Sequence, residues 1–411
     1  MKFAIAVHGT RGDVEPCAAV GVELRRRGHD VRMAVPPNLV GFVEQAALRP
    51  AVLYGADSQQ QLEADIFRKW WGVRNPVTVF REAREYITEG WSQMSRTLVD
   101  ISQDADLILS GTTYQEIAAN VAEFRGIPLA ALHSFPARAN NHVLPVKVPM
   151  QLVRPAWAVA EWVHWRVLKP AEDEQRRELG LPAVHTRAVS RIVERALEIQ
   201  AYDRVLFPGL QEQWAGKRPL IGALTLQMPT DVDASVMSWI DAGEPPVYFG
   251  FGSMPIGDPA RASEMITEVC GDLGLRALIC SADLARAETR YGDQVRAVSS
   301  VNHPLVFPAC RAIVHHGGAG TTAASLRAGV PTVVLWVGAD QPVWANQVKR
   351  LGVGTSRRFS TITRTSLLDA LRTVLTLEYA ERARTVAAAM TTPSQSVTRA
   401  ADLLEEKAHH R

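Results

Sequence analysis

Short apolar segments alternate with longer amphipathic segments from the first residues of the chain. The apolar run Phe3–Val7 is followed by a polar stretch and then by helically spaced apolar positions that end at Gly28. Beyond it, Val31, Met33 and Val35 recur at every second position, which is typical of a half-buried strand. A strand, a helix and a second strand in this order form a βαβ unit, which indicates a parallel sheet.

The same pattern recurs along the chain and predicts an α/β protein built in two parts. Later strands are predicted at 106–110, 129–133, 247–251, 277–280, 312–314 and 332–336, and closing helices at 364–376, 378–390 and 396–407. The proline-rich region 140–182 predicts a loop and then irregular helices, and the prolines and glycines of 208–232 indicate a linker. A length of 411 residues fits two domains better than one core.

The stretch 314–322 reads Val-His-His-Gly-Gly-Ala-Gly-Thr-Thr and carries the clearest chemical signal. A strand, a glycine turn and a helix start in this order direct free backbone N–H groups at an anion. The glycines let phosphate oxygens approach the backbone, and Thr321 and Thr322 either cap the helix or bond a phosphate. Neighbouring residues leave a strand on opposite faces, so His315 and His316 are not expected to bind one metal ion. The stretch predicts a diphosphate seat at a helix N-terminus.

Bulk composition narrows the classes of function. Hydrophobic residues make up 47% and charged residues 21%, and the net charge of +2 is too balanced for nucleic acid as the main partner. Isolated cysteines at 17, 270, 280 and 310 favour small buried side chains over a disulfide framework. The first apolar run is too short for a signal peptide, and no run reaches the length of a membrane span. We expect a cytoplasmic protein, and peripheral contact with the inner face of the membrane stays open.

Several stretches together resemble the donor-binding signature of family 1 glycosyltransferases. They are the glycine turn at 315–322, Arg-Ala-Gly-Val-Pro at 327–331, Asp-Gln-Pro at 340–342, Asn-Gln at 346–347 and Leu-Gly-Val-Gly at 351–354. Gly-Asp-Val-Glu-Pro at 12–16 and Arg-Arg-Arg-Gly-His at 25–29 resemble the start of the acceptor domain of that family. The chain looks most like the bacterial branch acting on glycopeptide antibiotics, mycobacterial glycolipids and sterols. Residues 50–240 match only loosely, as expected of the region that selects the acceptor.

The resemblance implies the GT-B fold, an α/β architecture of two Rossmann-like domains facing across a cleft. We expect an acceptor-binding domain at 1–215, a nucleotide-sugar-binding domain at 216–390, and a C-terminal helix at 391–411 that crosses back to the first domain. The implied reaction is inverting, metal-independent transfer of a hexose, including a 6-deoxy hexose, from a dTDP- or UDP-sugar. The expected acceptor is an apolar hydroxylated molecule: a glycolipid, lipopeptide, sterol or natural-product aglycone. No cofactor is expected beyond the nucleotide-sugar co-substrate.

Asp13 is the candidate base for the acceptor hydroxyl. It is placed in a loop after the first strand, a few residues before a helix, so its carboxylate fits either a helix cap or a general base. The two alternatives are even on the residues alone, and the family resemblance favours the base. His8 is a weaker candidate, because a structural histidine at the strand end fits it better.

The remaining site residues follow from the glycine turn and the resemblance. The diphosphate is expected to contact Ser253, His316, Gly317, Gly318, Ala319, Gly320 and Thr321, while His315 is structural. Asp340 and Gln341 follow a strand end and suit sugar hydroxyls. Weaker candidates are Gly252, Val301 and His303 for the nucleotide base, and His8, Arg11, Trp70 and Trp71 for the acceptor.

Two other patterns have a plain and a functional interpretation. The triplets at 104–106 and 231–233 are Asp-x-Asp, which binds a metal in another glycosyltransferase class, but here they are expected to be solvated surface carboxylates. The segment 157–177 mixes Trp with charged residues, so it is either a membrane-facing or lipid-acceptor wall, or packed aromatics beside solvated helix faces. Its acidic residues dilute the positive charge and favour the second interpretation.

Rival functions are kept for comparison. One is a GT-B epimerase or hydrolase of nucleotide sugars, which would turn over donor without acceptor. Another is a non-catalytic nucleotide-sugar or lipid-binding protein. A dinucleotide oxidoreductase is disfavoured, because neither 8–15 nor 315–322 has the Gly-x-Gly-x-x-Gly spacing after a strand.

Overall fold

The computed structural model describes residues 1–63, 88, 90–143, 149–252, 259–286 and 293–410. Ser253, Trp70 and Trp71, three of the predicted site residues, lie outside the described residues. The described part contains two six-stranded sheets in which every strand pair is parallel. The predicted α/β class and its two-part organisation are confirmed.

The first sheet and its helices form what we call the N-terminal lobe. Its strands are β1 (Lys2–Ala6), β2 (Asp30–Val35), β3 (Ala51–Leu53), β4 (Leu107–Ser110), β5 (Leu129–His133) and β6 (Leu197–Gln200). They lie in the order β3-β2-β1-β4-β5-β6. Ile5 and Leu109 belong to the core on one face of this sheet, and Ala4 and Ile108 to the core on the other. Both faces are covered, as parallel sheets require.

The second sheet and its helices form the C-terminal lobe. Its strands are β7 (Val247–Gly250), β8 (Ala277–Cys280), β9 (Val295–Val298), β10 (Ala312–His315), β11 (Thr332–Trp336) and β12 (Gly354–Arg358). Their order, β12-β11-β10-β7-β8-β9, repeats that of the first sheet when it is counted from the lobe's own first strand. The two lobes are therefore doubly wound sheets of one topology.

Helices surround both sheets. Those up to the connection between the lobes are α1 (Arg11–Arg26), α2 (Val40–Gln45), α3 (Ser58–Glu63), α4 (Trp91–Ile101), α5 (Gln115–Arg125), α6 (Met150–Glu178), α7 (Ala188–Arg195) and α8 (Leu210–Gln213). Those that follow are α9 (Asp233–Asp241), α10 (Pro259–Asp272), α11 (Ala282–Arg286), α12 (His303–Val306), α13 (Ala319–Arg327), α14 (Gln341–Leu351), α15 (Arg364–Val374), α16 (Leu377–Ala389) and α17 (Pro393–His409). Short 3₁₀ turns lie at Pro37–Leu39, Arg204–Leu206, Phe307–Ala309 and Phe359–Thr361. Across the described ranges, no helix has both the length and the apolar character needed to cross a membrane.

Four strands were not predicted, and all four lie at sheet edges. β3 and β6 close the first sheet, and β9 and β12 close the second. An edge strand pairs with one neighbouring strand instead of two, so a short or polar segment is enough to form it. β12, for example, reads Gly-Thr-Ser-Arg-Arg and lacks the apolar run on which strand prediction depends.

The region 140–182 is more regular than predicted. Instead of irregular helices, α6 runs for 29 residues. Pro155 and Pro170 lie inside it at exposed positions, where the carbonyl groups that lose a partner are open to water. The opposite face of α6 packs through Val167 and Leu168 into the core of the N-terminal lobe. That packing involves residues distant in the chain, so the local sequence does not predict it. It keeps the helix continuous across both prolines.

Two segments connect the lobes. The carboxylate of Asp203 accepts backbone N–H bonds from Ala223, in the predicted linker, at 3.3 Å and from Thr391, just before α17, at 2.6 Å. α17 then packs on α1, where Arg27 pairs with Asp402 at 2.7 Å. The numerical domain limits given above stay a prediction.

Candidate active site

The carboxyl ends of both sheets meet where the two predicted halves of the site lie. In each sheet the strand order reverses between its first and fourth strands, and open α/β sheets bind ligands at that point. α1 follows β1 there, and α13 follows β10 in the other lobe. One cavity between the lobes is lined by Gly12 and Pro16 of α1 and by Ala319 and Gly320 of α13. The start of α1, which carries Asp13, therefore faces the glycine turn.

Asp13 lies in the first turn of α1 rather than in a loop, which corrects the prediction. α1 begins at Arg11 because Thr10 and Asp13 form a capping box. The Oδ2 atom of Asp13 accepts hydrogen bonds from the Thr10 backbone N–H at 2.9 Å and from the Thr10 hydroxyl at 3.2 Å. Neither contact uses Oδ1. The capping and base roles, treated above as alternatives, are thus compatible, one for each oxygen.

The position of Asp13 depends on Gly9. Gly9 has a φ of 139°, and a Cβ atom at this residue would lie 2.3 Å from the Asp13 Oδ2. A glycine is therefore required both by the backbone conformation and by the space that the carboxylate occupies. The Thr10-x-x-Asp13 spacing was the available signal for the early start of α1.

The carboxylate of Asp340 in the C-terminal lobe acts on the pKa of Asp13 in the N-terminal lobe. Burial, and next the negative charge of Asp340, raise the pKa of Asp13 to about 6, against the lowering effect of the Thr10 hydrogen bonds. Burial also raises the pKa of Asp340, against the hydrogen bond from Trp344. Within the ranges the structure covers, no ion pair includes either carboxylate. A carboxylate with a pKa near 6 is mostly ionised at neutral pH, yet basic enough to accept a proton.

The glycine turn ends earlier than its pattern suggested, because α13 already begins at Ala319. The first intrahelical bond runs from the Thr322 N–H to the Gly318 carbonyl at 2.9 Å. The N–H groups of Ala319, Gly320 and Thr321 precede that bond and have no partner within the helix. Three such groups at one helix N-terminus form an anion seat.

The threonines do not cap α13 as one alternative suggested. Gly318 occupies the N-cap position, and no side chain accepts a capping bond there. The Thr322 hydroxyl instead donates to the Gly318 carbonyl at 2.9 Å. Thr321 is partly exposed in the first turn of α13.

The two histidines of the turn have different surroundings. Nδ1 of the fully buried His315 accepts the Gly317 N–H at 2.9 Å and so holds the turn. The ring of His316 lies between Gly252 and Gly318, and a Cβ at Gly318 would lie 2.5 Å from its Nε2. Burial lowers the pKa of His316 to about 4, so this ring is neutral at neutral pH. The centroids of the two rings lie 6.3 Å apart and their planes are at 85° to each other. The two histidines therefore do not face one common ligand.

The loop after β11 places Asp340 and Gln341 beside the glycine turn. Gln341 is buried, and its Oε1 accepts the N–H groups of Val337 at 2.7 Å and Gly338 at 3.2 Å. Its oxygen therefore shapes the loop, and its amide nitrogen is the group left for a ligand. Asp340 Oδ2 accepts the indole N–H of Trp344 at 2.7 Å, so Oδ1 is the oxygen left for a ligand.

Two of the residues predicted for the nucleotide base, Val301 and His303, follow β9, whereas Gly252 follows β7 and lies against the His316 ring. The His303 ring stacks on Phe307 with centroids 4.4 Å apart, and its Nε2 is 3.2 Å from the Tyr248 hydroxyl. Val301 is buried beside them. Burial and then the positive charge of Arg11 lower the pKa of His303 to about 4. The charge of Arg11, predicted to contact the acceptor, thus acts on the C-terminal lobe, while its guanidinium pairs with Glu15 at 3.1 Å and lies over the Phe42 ring.

On the acceptor side of the cleft, the contacts of His8 are structural. Tyr114, which was not predicted, is a further candidate for contact with the acceptor. His8 is buried, with its Nε2 3.1 Å from the Ala56 carbonyl. The Tyr114 ring contacts the His8 ring edge to face at 5.3 Å. Tyr114 has a φ of 57°, uncommon for a residue with a side chain, and lies partly exposed at the start of α5. Such a conformation is held by contacts with distant segments, so no local sequence pattern predicts it.

The Asp-x-Asp triplets are solvated as predicted at Asp104 and Asp231, which are exposed, but not at Asp233. Asp104 pairs with Lys2 at 2.5 Å. Asp233 is buried and accepts N–H bonds from Thr230 at 2.7 Å and Asn302 at 2.9 Å, so it ties the start of α9 to the segment after β9. In the part of the chain that the structure describes, no three His, Cys, Asp or Glu side chains are grouped to hold a metal ion.

Comparisons with known proteins agree with this geometry. Residues 3–101 match the N-terminal domain of glycosyltransferase family 28, and residues 268–404 match the C-terminal domain of erythromycin biosynthesis protein CIII-like proteins. An uncharacterized glycosyltransferase of Mycobacterium tuberculosis is 55% identical, with 99% of each chain covered. The vancomycin aglycone glucosyltransferase of Amycolatopsis orientalis is 29% identical over 97% of this chain and 96% of its own. The solved structure of glycosyltransferase VinC in complex with dTDP covers all of both chains at 18% identity, with a TM-score of 0.68.

Two doubly wound lobes, with an anion seat in one and a partly buried carboxylate facing it from the other, define a GT-B glycosyltransferase. The chain belongs to the family 1 glycosyltransferases and is an enzyme of that family. The non-catalytic binding protein kept as a rival is therefore set aside.

Proposed function

We propose that the enzyme transfers a hexose, with inversion and without a metal ion, from a dTDP- or UDP-sugar to a hydroxyl of an apolar acceptor. The observation that carries the proposal is the placement of Asp13. Its carboxylate is partly buried, free of cations among the described residues, and opposite both Asp340 and the start of α13. An inverting transfer needs a base and a leaving-group seat on opposite sides of the sugar, and this arrangement supplies both.

The chemical step follows from these positions. Oδ1 of Asp13 takes the proton of the acceptor hydroxyl while the acceptor oxygen bonds to the anomeric carbon. The bond from that carbon to the terminal phosphate oxygen breaks, and the nucleoside diphosphate leaves with the electron pair. The free N–H groups of Ala319, Gly320 and Thr321 and the neutral His316 ring meet the developing negative charge. A single displacement of this kind inverts the anomeric configuration.

Metal independence is proposed on the same ground. The N-terminus of α13 carries a partial positive charge and presents backbone donors that need no reorganisation. Oδ1 of Asp340 and the amide nitrogen of Gln341 are assigned to the sugar hydroxyls, because their other atoms are engaged within the loop. Gly252, Val301 and His303 are assigned to the nucleotide base.

The relatives support the donor and acceptor classes. VinC was solved with dTDP, which favours a deoxythymidine donor, with UDP as the alternative. The vancomycin aglycone glucosyltransferase is named for a hexose and a large aglycone. A spinosyn rhamnosyltransferase of the same fold, with a TM-score of 0.67, supports the inclusion of 6-deoxy hexoses. No cofactor is proposed beyond the nucleotide sugar.

The test is a panel of dTDP- and UDP-hexoses, each assayed for thermal stabilisation and for transfer to sterol, lipid and aglycone acceptors. We expect one nucleotide to raise the melting temperature, since a ligand that binds only the folded state stabilises it. Transfer is expected to persist in EDTA and to yield a product of inverted anomeric configuration by NMR. Retained configuration, or loss of transfer in EDTA that added metal restores, would contradict the proposal. Equal donor consumption with and without acceptor would favour the hydrolase or epimerase.

A further inference from the structure

One face of α6 exposes a continuous row of apolar side chains. The exposed fractions are 52% for Leu152, 61% for Val159, 50% for Trp162 and 39% for Val163, and Pro155 is exposed between them. Spacings of three and four residues place these five side chains on one side of the helix. We call this set, Leu152, Pro155, Val159, Trp162 and Val163, the outer face of α6. Single exposed hydrophobic residues are ordinary, but a contiguous row of them marks an interaction surface.

Packing against the described residues of the N-terminal lobe accounts for the other side of α6 but not for this one. Trp157 is buried and donates its indole N–H to the Val143 carbonyl at 2.9 Å. Val167 and Leu168 belong to the lobe's core. The aromatic packing favoured from the sequence therefore explains Trp157, whereas Trp162 extends into solvent on the outer face.

Charge is distributed unevenly along α6. Residues 150–169 contain three basic residues, Arg154, Arg166 and Lys169, against one acid, Glu161, a net charge of +2. Residues 170–178 contain four acids against two arginines, a net charge of −2. Apart from Glu161, the acids that diluted the charge in the sequence pattern thus lie at the end of the helix beyond the outer face. Lys169 pairs with Asp173, but Arg154 and Arg166 make no ion pair with a described residue.

We propose that the outer face of α6 docks peripherally on an anionic phospholipid membrane. Aliphatic side chains and a tryptophan enter the interface between headgroups and acyl chains, and Arg154 and Arg166 meet lipid phosphates. A second copy of the chain fits less well, because a symmetric contact through this face would bring the unpaired arginines of both copies together.

Docking in this way places the acceptor side of the cleft near the membrane. Nε2 of His164, two residues from Trp162 on α6, lies 2.9 Å from Oε1 of Glu116 in the first turn of α5. α5 begins next to Tyr114, whose ring contacts His8 at the end of β1. The inference deepens the proposed function, since it names the surface from which an apolar acceptor is taken, but membrane binding itself needs neither donor nor turnover.

The test is co-sedimentation of the full chain with phosphatidylcholine vesicles, with and without phosphatidylglycerol, without any sugar donor. We expect binding only to the anionic vesicles, and weaker binding at high salt. The double variant Val159→Ser/Trp162→Ser should lower the partition coefficient by at least about tenfold. Arg154→Gln and Arg166→Gln should each lower it by about fivefold. Leu377→Ser is the matched control, because Leu377 is 69% exposed on α16 in the other lobe.

Three results would overturn the proposal: no binding of the wild-type chain to anionic vesicles, equal binding by the outer-face variants, or an equal loss in Leu377→Ser. A wild-type dimer in sedimentation velocity that Val159→Ser/Trp162→Ser converts to monomer would assign the face to a second copy instead. All replaced side chains are exposed, so unchanged melting temperatures verify folding. Because binding is measured without turnover, its failure is distinct from failure of the proposed transfer reaction.

Discussion

Two carboxylates in the N-terminal lobe, Asp13 and Glu198, show how differently one fold treats buried acids. Glu198 lies on β6, 2% exposed, with Arg138 at 2.5 Å and Arg218 at 2.6 Å. Burial pushes the pKa of Glu198 upward, but the nearby positive charges, above all that of Arg138, outweigh it and leave the pKa lowered. Asp13 is withdrawn from solvent without a described cation, beside a second acid, and its pKa is raised to about 6.

The difference teaches that burial alone does not mark a functional acid. A buried carboxylate between two guanidinium groups is fixed in its ionised form and serves the fold. A carboxylate that is desolvated but left without a cation stores free energy that protonation releases, so it is prepared to take a proton from a ligand. We therefore expect changes at Asp13 to affect turnover and changes at Glu198 to affect stability.

The largest expected effect is on turnover in Asp13→Asn. The amide keeps an oxygen that can accept the Thr10 N–H, so the capping box survives, but it cannot take the acceptor proton. We expect kcat to fall by about 10² to 10⁴-fold, with donor binding unchanged. Burial of a charge is removed, so the melting temperature at pH 7 should not fall. Steady-state kinetics, donor titration and thermal melting measure the three quantities. Near-native turnover with intact donor binding would remove Asp13 from the mechanism.

The next effect concerns stability and should appear in Glu198→Gln. This change leaves Arg138 and Arg218 buried without their counter-charge, which costs about 3–5 kcal/mol of unfolding free energy. Turnover per folded molecule should stay close to that of the wild type. Urea denaturation and active-site-normalised kinetics measure the pair of outcomes.

An exposed ion pair gives the matched control for Glu198→Gln. Asp173→Asn breaks the pair with Lys169 at the surface of α6 and should cost at most about 1 kcal/mol. A Glu198→Gln variant that kept its stability but lost turnover would break the distinction between the two acids.

Much of this contrast could be anticipated from the sequence, but not its geometry. The apolar runs that become β1 and β10 and the glycines that follow them are local signals, so the two strands and the turns that carry the candidate site residues were predicted at the right positions. The start of α1 was misplaced because Asp13 replaces the Glu or Gln usual at the third helical position of a capping box.

What the sequence could not convey depends on contacts between distant segments. Glu198 lies on an unpredicted edge strand, and its partners Arg138 and Arg218 come from 60 and 20 residues away. The left-handed Tyr114 and the two prolines tolerated by α6 are likewise settled by tertiary packing. The charge effect of Asp340 on Asp13 joins residues of different lobes, which no local pattern links.

A smaller effect is expected when Asp13 is displaced rather than replaced. In Gly9→Ala the new Cβ would lie 2.3 Å from the Asp13 Oδ2, so the carboxylate must move. We expect kcat to fall by about tenfold, since misplacing a catalytic group by a fraction of an ångström weakens proton transfer. Gly28→Ala is the matched control, because Gly28 also has a positive φ, of 87°, but nothing within 4 Å of a Cβ. Equal kinetic effects in both variants would indicate general backbone strain instead of displacement.

The smallest expected effect is a shift in the pH dependence of the reaction. Base catalysis requires ionised Asp13, so kcat/KM should fall as the pH drops through about 6. Asp340→Asn removes the negative charge that helps to raise the pKa of Asp13, so the acidic limb should move to lower pH, by less than about one unit. The amide can still accept the Trp344 N–H, and any loss of sugar contacts would scale kcat/KM without moving the limb. Asp104→Asn is the control. It changes an exposed acid that pairs with Lys2 in the same lobe as Asp13, and it should leave the acidic limb in place. A limb that moved equally in both variants, or moved upward in Asp340→Asn, would mean that Asp340 does not act on Asp13 through its charge.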